Sequence, residues 1–233
     1  MVAAMAKPVK PRPRKRPARR ISPKAKLRAG EIFERFRAAV EDPHTELEYK
    51  TPFTLLVAVV LSAQATDKSV NKATERLYAV ADTPETMLAL GEGGLIPYIA
   101  SIGLFRTKAR NVIRLAQILV DHYGGQVPLA REQLQALPGV GRKTASVVLN
   151  ELDIEPAIAV DTHVFRVAHR LGLSKGKTPD AVERDLMAVT PERYLTRAHH
   201  WLILHGRYTC VARKPKCAAC VVGDLCPSRE LFL

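Results

Sequence analysis

Cysteine is absent from the first 209 residues, and no Asp or Glu occurs among the first 28. Membrane-length apolar runs are missing too. The longest, Phe53 to Leu61, is about half of the roughly 18 residues that a span requires. The opening residues also lack the apolar stretch of a secretory leader, which implies a reducing, cytoplasmic setting. Disulfides are disfavoured there, and a metal site is favoured. Stretches of convincing strand character are lacking, as is any repeat of the solenoid kind, and this removes most sheet-based and repeat architectures.

What remains is a chain of 233 residues with 47% apolar composition, enough to bury a core. Its formal charge is +13, unevenly spread. Residues 1–28 hold 11 of the 36 Lys and Arg, interleaved with five prolines. The rest of the chain keeps 25 basic against 23 acidic residues, a net of only +2. The tail reads as a disordered polybasic arm that would add salt-dependent affinity for nucleic acid, with a solvated tail or a transit peptide as the plainer readings. Any binding by the near-neutral body must rest on local basic clusters and not on its total charge.

From Ala29 onward the pattern is helical. Ile32, Phe33, Phe36, Ala39 and Val40 share one face of a first helix. Thr-Pro pairs at 51, 83, 178 and 190 read as four helix starts, Thr capping and Pro in the first turn. Phe53–Leu61 reads as a buried helix. Thr66 or Asp67 caps the next, and Asp67 reads as a cap and nothing more. A helix from Thr83 ends at Leu90, and Gly93-Gly94 precede another. A long amphipathic helix runs from Thr107 to Tyr123 and ends at Gly124-Gly125. Asp161-Thr162 opens a helix from His163 to Leu171. The expected class is all-α.

The stretch Leu137 to Ala145, LPGVGRKTA, reads as a hairpin between two helices. Pro138 stops the first helix, and Gly139 and Gly141 allow the positive φ of a sharp reversal. Gly139, Val140 and Gly141 would present backbone N–H groups, beside a helix N-terminus, to an anion, which a nucleic-acid phosphate fits. Arg142 and Lys143 follow at once. A simple connector between helices is the plainer reading of the same residues.

All four cysteines, Cys210, Cys217, Cys220 and Cys226, lie within the last 24 residues, spaced Cys-x6-Cys-x2-Cys-x5-Cys. One close pair with two outliers suits a bulky [4Fe–4S] cluster, with zinc and disulfides as the alternatives. Arg213, Lys214 and Lys216 sit in the loop between the first two cysteines. They read as phosphate contacts, or as a solvated basic loop near a negative cluster.

Taken together and in order, these motifs resemble the endonuclease III family, bacterial DNA glycosylases of the helix–hairpin–helix superfamily. The resemblance rests on the hairpin, on Val160-Asp161-Thr162-His163, with Asp161 18 residues after Lys143, and on the cysteine spacing. Leu61 to Asp67 and Gly103-Leu104 match the same pattern, so the likeness covers about residues 30 to 228. It implies two helical domains flanking a DNA cleft: 49–156 with the hairpin, and a discontinuous cluster domain of 29–48 and 157–233. It implies a [4Fe–4S] cluster, structural in role, and a nucleoid-associated monomer acting on duplex DNA that carries oxidised pyrimidines or abasic sites.

The residues support such chemistry. A helix N-terminus and a desolvated site would both disfavour the positive charge of Lys143, as an amine nucleophile requires. The freed amine would displace the base from the sugar carbon and leave a Schiff base, which makes β-elimination of the 3′ phosphate easy. Asp161 would stabilise oxocarbenium character and help move the lysine proton, and it can cap the following helix as well. By resemblance, Gln64 faces the base left unpaired by extrusion, and Leu104 fills the vacancy. An adenine-removing relative lacks the lysine nucleophile. A non-catalytic hairpin protein would leave the Lys143–Asp161 pair unexplained.

Overall fold

Phe53–Leu61 is buried along its whole length, and the first of two cores is built round it. The computed structural model describes residues 21–232. Among these residues the regular structure is helical: α1 Pro23–Ala39, α2 Pro52–Ser62, α3 Asp67–Tyr78, α4 Pro84–Ile99 and α5 Phe105–Tyr123. There follow α6 Arg131–Gln135, α7 Arg142–Glu151, α8 Thr162–Arg170, α9 Pro179–Val189 and α10 Leu195–Tyr208, with short 3₁₀ turns near the C-terminus. The fold is all-α. No helix among the described residues is long and apolar enough to cross a membrane.

A helix apolar on every face must lie at a centre, because each fully buried Leu, Val or Phe contributes about 1.5–3 kcal/mol only when all its faces are covered. α3, α5 and α7 pack against α2, and α4 packs on α5. The second core gathers α1, α8, α9 and α10 round Phe33, Tyr194 and Trp201. Ile158 carries the chain into this core on its way from α7 to α8.

Four departures from the sequence reading have physical causes. α1 begins at Pro23 and not at Ala29, because Ser22 caps it, its Oγ accepting from the Ala25 N–H at 3.2 Å. Basic composition had hidden a Ser-Pro start. Arg28 is then pinned by the carbonyls of Leu171 (2.7 Å) and Gly172 (3.0 Å), so the expected disorder of residues 1–28 fails for 21–28. Residues 1–20 of that expected tail lie outside the described residues. The break in α4 falls at Gly91, with φ 66° and ψ 174°, a conformation a Cβ would oppose; Gly93 and Gly94 lie within the helix beyond it. Three Thr-Pro pairs are true caps, but Thr190 closes α9 and its buried hydroxyl has no partner among the described residues. Last, the burial of α1 stops at Phe36, leaving Ala39 and Val40 exposed while the Val40 carbonyl accepts from Trp201 Nε1 at 2.8 Å.

Candidate active site and cluster site

Two helix N-termini point into one cleft. α7 begins at Arg142, which places Lys143 in its first turn, and α8 begins at Thr162 with Asp161 as its cap. Asp161 Oδ1 accepts the Val164 N–H at 2.8 Å. This bond holds the carboxylate in one orientation at the helix start. Lys143 and Asp161 both line a cleft of ≈ 490 Å³ that also takes in Ser62, Gln64, His163, His199 and Arg207. Lys143 and Gln64 come from the first core's side and Asp161 and His199 from the second's, so the cleft runs between the cores.

Lys143 itself is exposed. The desolvation expected for it is not supplied by the chain alone.

The hairpin is tighter than its composition suggested, and it uses its glycines differently. Gly139 has φ +79°, and a Cβ there would come within 3.2 Å of Asn111 Cβ and 3.3 Å of Val60 Cγ1. Gly141 is not left-handed: its φ is −87° with ψ −179°, ordinary extended backbone. Its lack of a side chain serves another end. As the cap of α7 it makes no side-chain hydrogen bond to the helix, and a Cβ on it would meet nothing within 4 Å. Six other helices here are capped by Ser, Thr or Asp side chains. α7 therefore presents bare N–H donors and an open approach, the arrangement an anion requires. Val140 is buried and anchors the turn. Arg142 reaches across to α9, pairing with Glu183 at 2.7 Å and Asp180 at 3.5 Å.

Gln64 and Leu104 occupy neighbouring loops. Both are exposed and both are left-handed, with φ 56° and 60°. A Cβ placed on Gly103 would lie 3.9 Å from the Gln64 carbonyl oxygen, so the loops run side by side. Leu104 is 61% exposed although it caps the amphipathic α5, an apolar side chain held out in solvent.

Sequence reasoning missed several residues here. Asp67 is not the cap of α3, a role taken by Thr66; its carboxylate accepts from Arg207 at 2.5 Å and ties α3 to α10. His199 is buried beside the cleft, and its Nδ1 has no partner among the described residues. Burial first, then the charges of His200 and Lys143, push it well below its ordinary value, so it stays neutral. His200 Nε2 meets Glu151 Oε2 at 2.9 Å, and Tyr49 donates to Glu151 Oε1 at 3.0 Å. Glu151 ends α7, the helix that carries Lys143 in its first turn, so this buried pair joins α7 to the second core. A His-His pair in an amphipathic helix carries no sequence signal for such a role.

The four cysteines are free thiols that line one small cavity with Arg170, His205 and Phe232. Burial pushes the Cys220 and Cys226 thiols up, and the neighbouring sulfurs add to the effect; a bound cationic group would reverse this. No three His, Cys, Asp or Glu among the described residues converge as a single-ion site. Four sulfurs round a shared space, but not round one point, fit an iron–sulfur cluster better than zinc. Arg170 Nη1 lies 3.5 Å from Cys210 Sγ and 2.7 Å from the Val211 carbonyl, which fixes the first ligand's loop. Gly223 would bring a Cβ to 3.1 Å from the Cys217 carbonyl, so the wrap round the cavity has no room for a side chain. Arg213, Lys214 and Lys216 are exposed on this loop and do not line the cleft.

Comparison with known proteins decides the family. Residues 57–192 match the model of the HhH-GPD superfamily base excision DNA repair proteins. Residues 210–226 match the iron–sulfur binding domain of endonuclease III. Endonuclease III of Escherichia coli (strain K12) is 54% identical over 200 residues, covering 86% of this chain and 95% of the relative. That of Rickettsia conorii is 59% identical over 195 residues, covering 84% and 93%.

The chain belongs to the endonuclease III family.

Solved endonuclease III structures agree. A trapped endonuclease III–DNA covalent intermediate, an estranged-adenine complex, superposes with a TM-score of 0.82 at 43% identity, covering 91% of this chain and 99% of that one. A non-covalent endonuclease III–DNA complex matches equally well. As a member of the endonuclease III family, the chain is a base-excision-repair enzyme, a DNA glycosylase and abasic-site lyase that carries an iron–sulfur cluster. Cys210, Cys217, Cys220 and Cys226 would hold that cluster, which when bound staples the C-terminal wrap.

Proposed function

We propose that the chain acts as a monomer on duplex DNA in the cytoplasm, removing oxidised pyrimidines, with Lys143 as nucleophile and Asp161 as its carboxylate partner. The observation that carries this reading is that both residues project from helix N-termini into one cleft, with Gln64 on its rim.

The hairpin Gly139–Gly141, with Arg142, grips a phosphate of the damaged strand and sets the register. Leu104 fills the gap left by the extruded nucleotide, and Gln64 bonds to the unpaired base. Closure of the duplex over Lys143 removes its water. Asp161 accepts a proton from the amine, which attacks the anomeric carbon while the glycosidic bond breaks and the base leaves with its electron pair. Loss of the sugar's ring oxygen bond leaves an imine between Lys143 and the open sugar. Removal of the adjacent proton then expels the 3′ phosphate, and water releases the amine. Arg213, Lys214 and Lys216 contact backbone phosphates outside the cleft.

A panel of duplexes bearing thymine glycol, dihydrouracil, 8-oxoguanine and mismatched adenine tests the substrate class. Release of the first two and not the others is expected. Preferential release of adenine would refute the proposed substrate, and binding without any release would favour a non-catalytic hairpin module.

A further inference from the structure

α2 ends abnormally. In a continuing helix the Leu61 carbonyl would accept the N–H of Ala65, but that N–H turns back to the Ser62 carbonyl at 3.0 Å. The Leu61 carbonyl is left at a buried helix C-terminus without its backbone donor. Lys108 Nζ takes the place at 3.0 Å. Lys108 is 5% exposed, an unusual site for a lysine, and it sits in the first turn of α5. Its own N–H donates to the Leu104 carbonyl, also at 3.0 Å. One residue thus bonds through its side chain to the root of the Gln64 loop and through its backbone to Leu104.

The two loops need such a tie. Gln64 and Leu104 are both left-handed without being glycine, a conformation that persists only where the surroundings hold it. A cation at the carbonyl end of α2 also meets that helix's negative pole. We infer that Lys108 is the positioning residue for the two DNA-inserting loops, fixing Gln64 and Leu104 at the spacing that lets one fill the gap and the other meet the unpaired base. This rests on the roles assigned above to Gln64 and Leu104. Burial lowers the lysine's affinity for its proton, and the 3.0 Å bond to the Leu61 carbonyl holds the side chain in place.

Lys108→Met keeps the length of the side chain and removes the donor; Lys108→Gln keeps an N–H on a shorter arm. Each is compared with the wild type in borohydride trapping on two substrates: thymine glycol in a duplex, which needs extrusion and gap filling, and an abasic site in a single strand, which needs only the amine. A third readout is the fluorescence of 2-aminopurine opposite the lesion. The expected result for Lys108→Met is single-strand trapping near the wild-type level, with duplex trapping down by about tenfold to a hundredfold. The 2-aminopurine response should be lost. Lys108→Gln should fall between. An unchanged duplex-to-single-strand ratio in both variants overturns the inference, and so does equal loss on both substrates, since Lys108 would then support the whole site. If the wild type traps neither substrate, the proposed function fails and takes this inference with it.

Discussion

At the scale of single residues, Asp161 has two roles that can be separated. Its carboxylate caps α8 through the Val164 N–H, and it faces the cleft shared with Lys143. Asn caps a helix about as well as Asp does. Asp161→Asn should therefore leave the melting temperature almost unchanged while lowering the glycosylase rate by about 10²–10⁴-fold, the usual worth of a general base. Retention of near-wild rates by a folded D161N would remove Asp161 from the chemistry. Glu151 is the opposite case, a residue of structure and pH dependence. Its carboxyl is buried, a cost offset by hydrogen bonds from His200 and Tyr49, and the net effect holds it below the ordinary carboxylate value. A carboxylate lowered in the folded state contributes stability above its unfolded value near 4.5, and that contribution is lost as pH falls through the lower folded value. Glu151→Gln should thus cost about 3 kcal/mol at neutral pH, because it strands His200, and the difference from wild type should shrink below about pH 4. Denaturant melts across this range measure it; a difference constant with pH would contradict the assignment. These residues also mark the limit of sequence reading. Lys143 and Asp161 stood out because each lies at a helix start in a recognisable motif. Glu151, His200 and Lys108 occupy ordinary helix positions, and what sets them apart is partners about 47 or more residues away in the chain.

At the scale of elements, the hairpin separates two uses of glycine. Gly139 is required by its own backbone: at φ +79°, with Asn111 and Val60 packed against it, a methyl group meets both strain and contact. Nothing in the fold requires Gly141, because its backbone suits any residue and the space beside it is open; the need we propose for it is the approach of a phosphate. Gly139→Ala should destabilise the fold by about 1–3 kcal/mol. Gly141→Ala should leave the melting temperature unchanged and weaken DNA binding, because the methyl group intrudes where a phosphate approaches the α7 N–H donors. Equal effects of the two on stability would contradict this division. The helix starts at Thr51, Thr83 and Thr178 were legible because a side-chain cap and a proline act locally. The start of α1 was hidden by charge, and Thr190 mimicked a cap because the local pair is the same while the chain's direction there is set by the second core. The left-handed Gln64 and Leu104 had no local sign at all. Their geometry comes from the tie between two loops far apart in sequence.

At the scale of the whole molecule, two cores enclose a cleft, and the buried Glu151–His200 pair and the Asp67–Arg207 pair span it. The all-helical class and the cysteine wrap were legible from periodicity and spacing; the way the cores face one another was not, since it depends on these cross-contacts. The body's near-neutral charge leaves long-range attraction to the N-terminal segment. Residues 1–20 carry eight Lys and Arg. Their removal should reduce the slope of log affinity against log salt by up to about 7 if all of them meet phosphates, and should leave single-turnover chemistry unchanged. An unaltered slope would show that they make no such contacts. Lys143, brought by α7 into a cleft with Asp161, is the residue proposed to form the covalent bond to DNA. Borohydride reduction during turnover on thymine glycol DNA, followed by peptide mapping, tests it most directly. The expected result is one DNA adduct on Lys143, absent in Lys143→Ala. An adduct on another residue, or one that persists in that variant, would contradict the account.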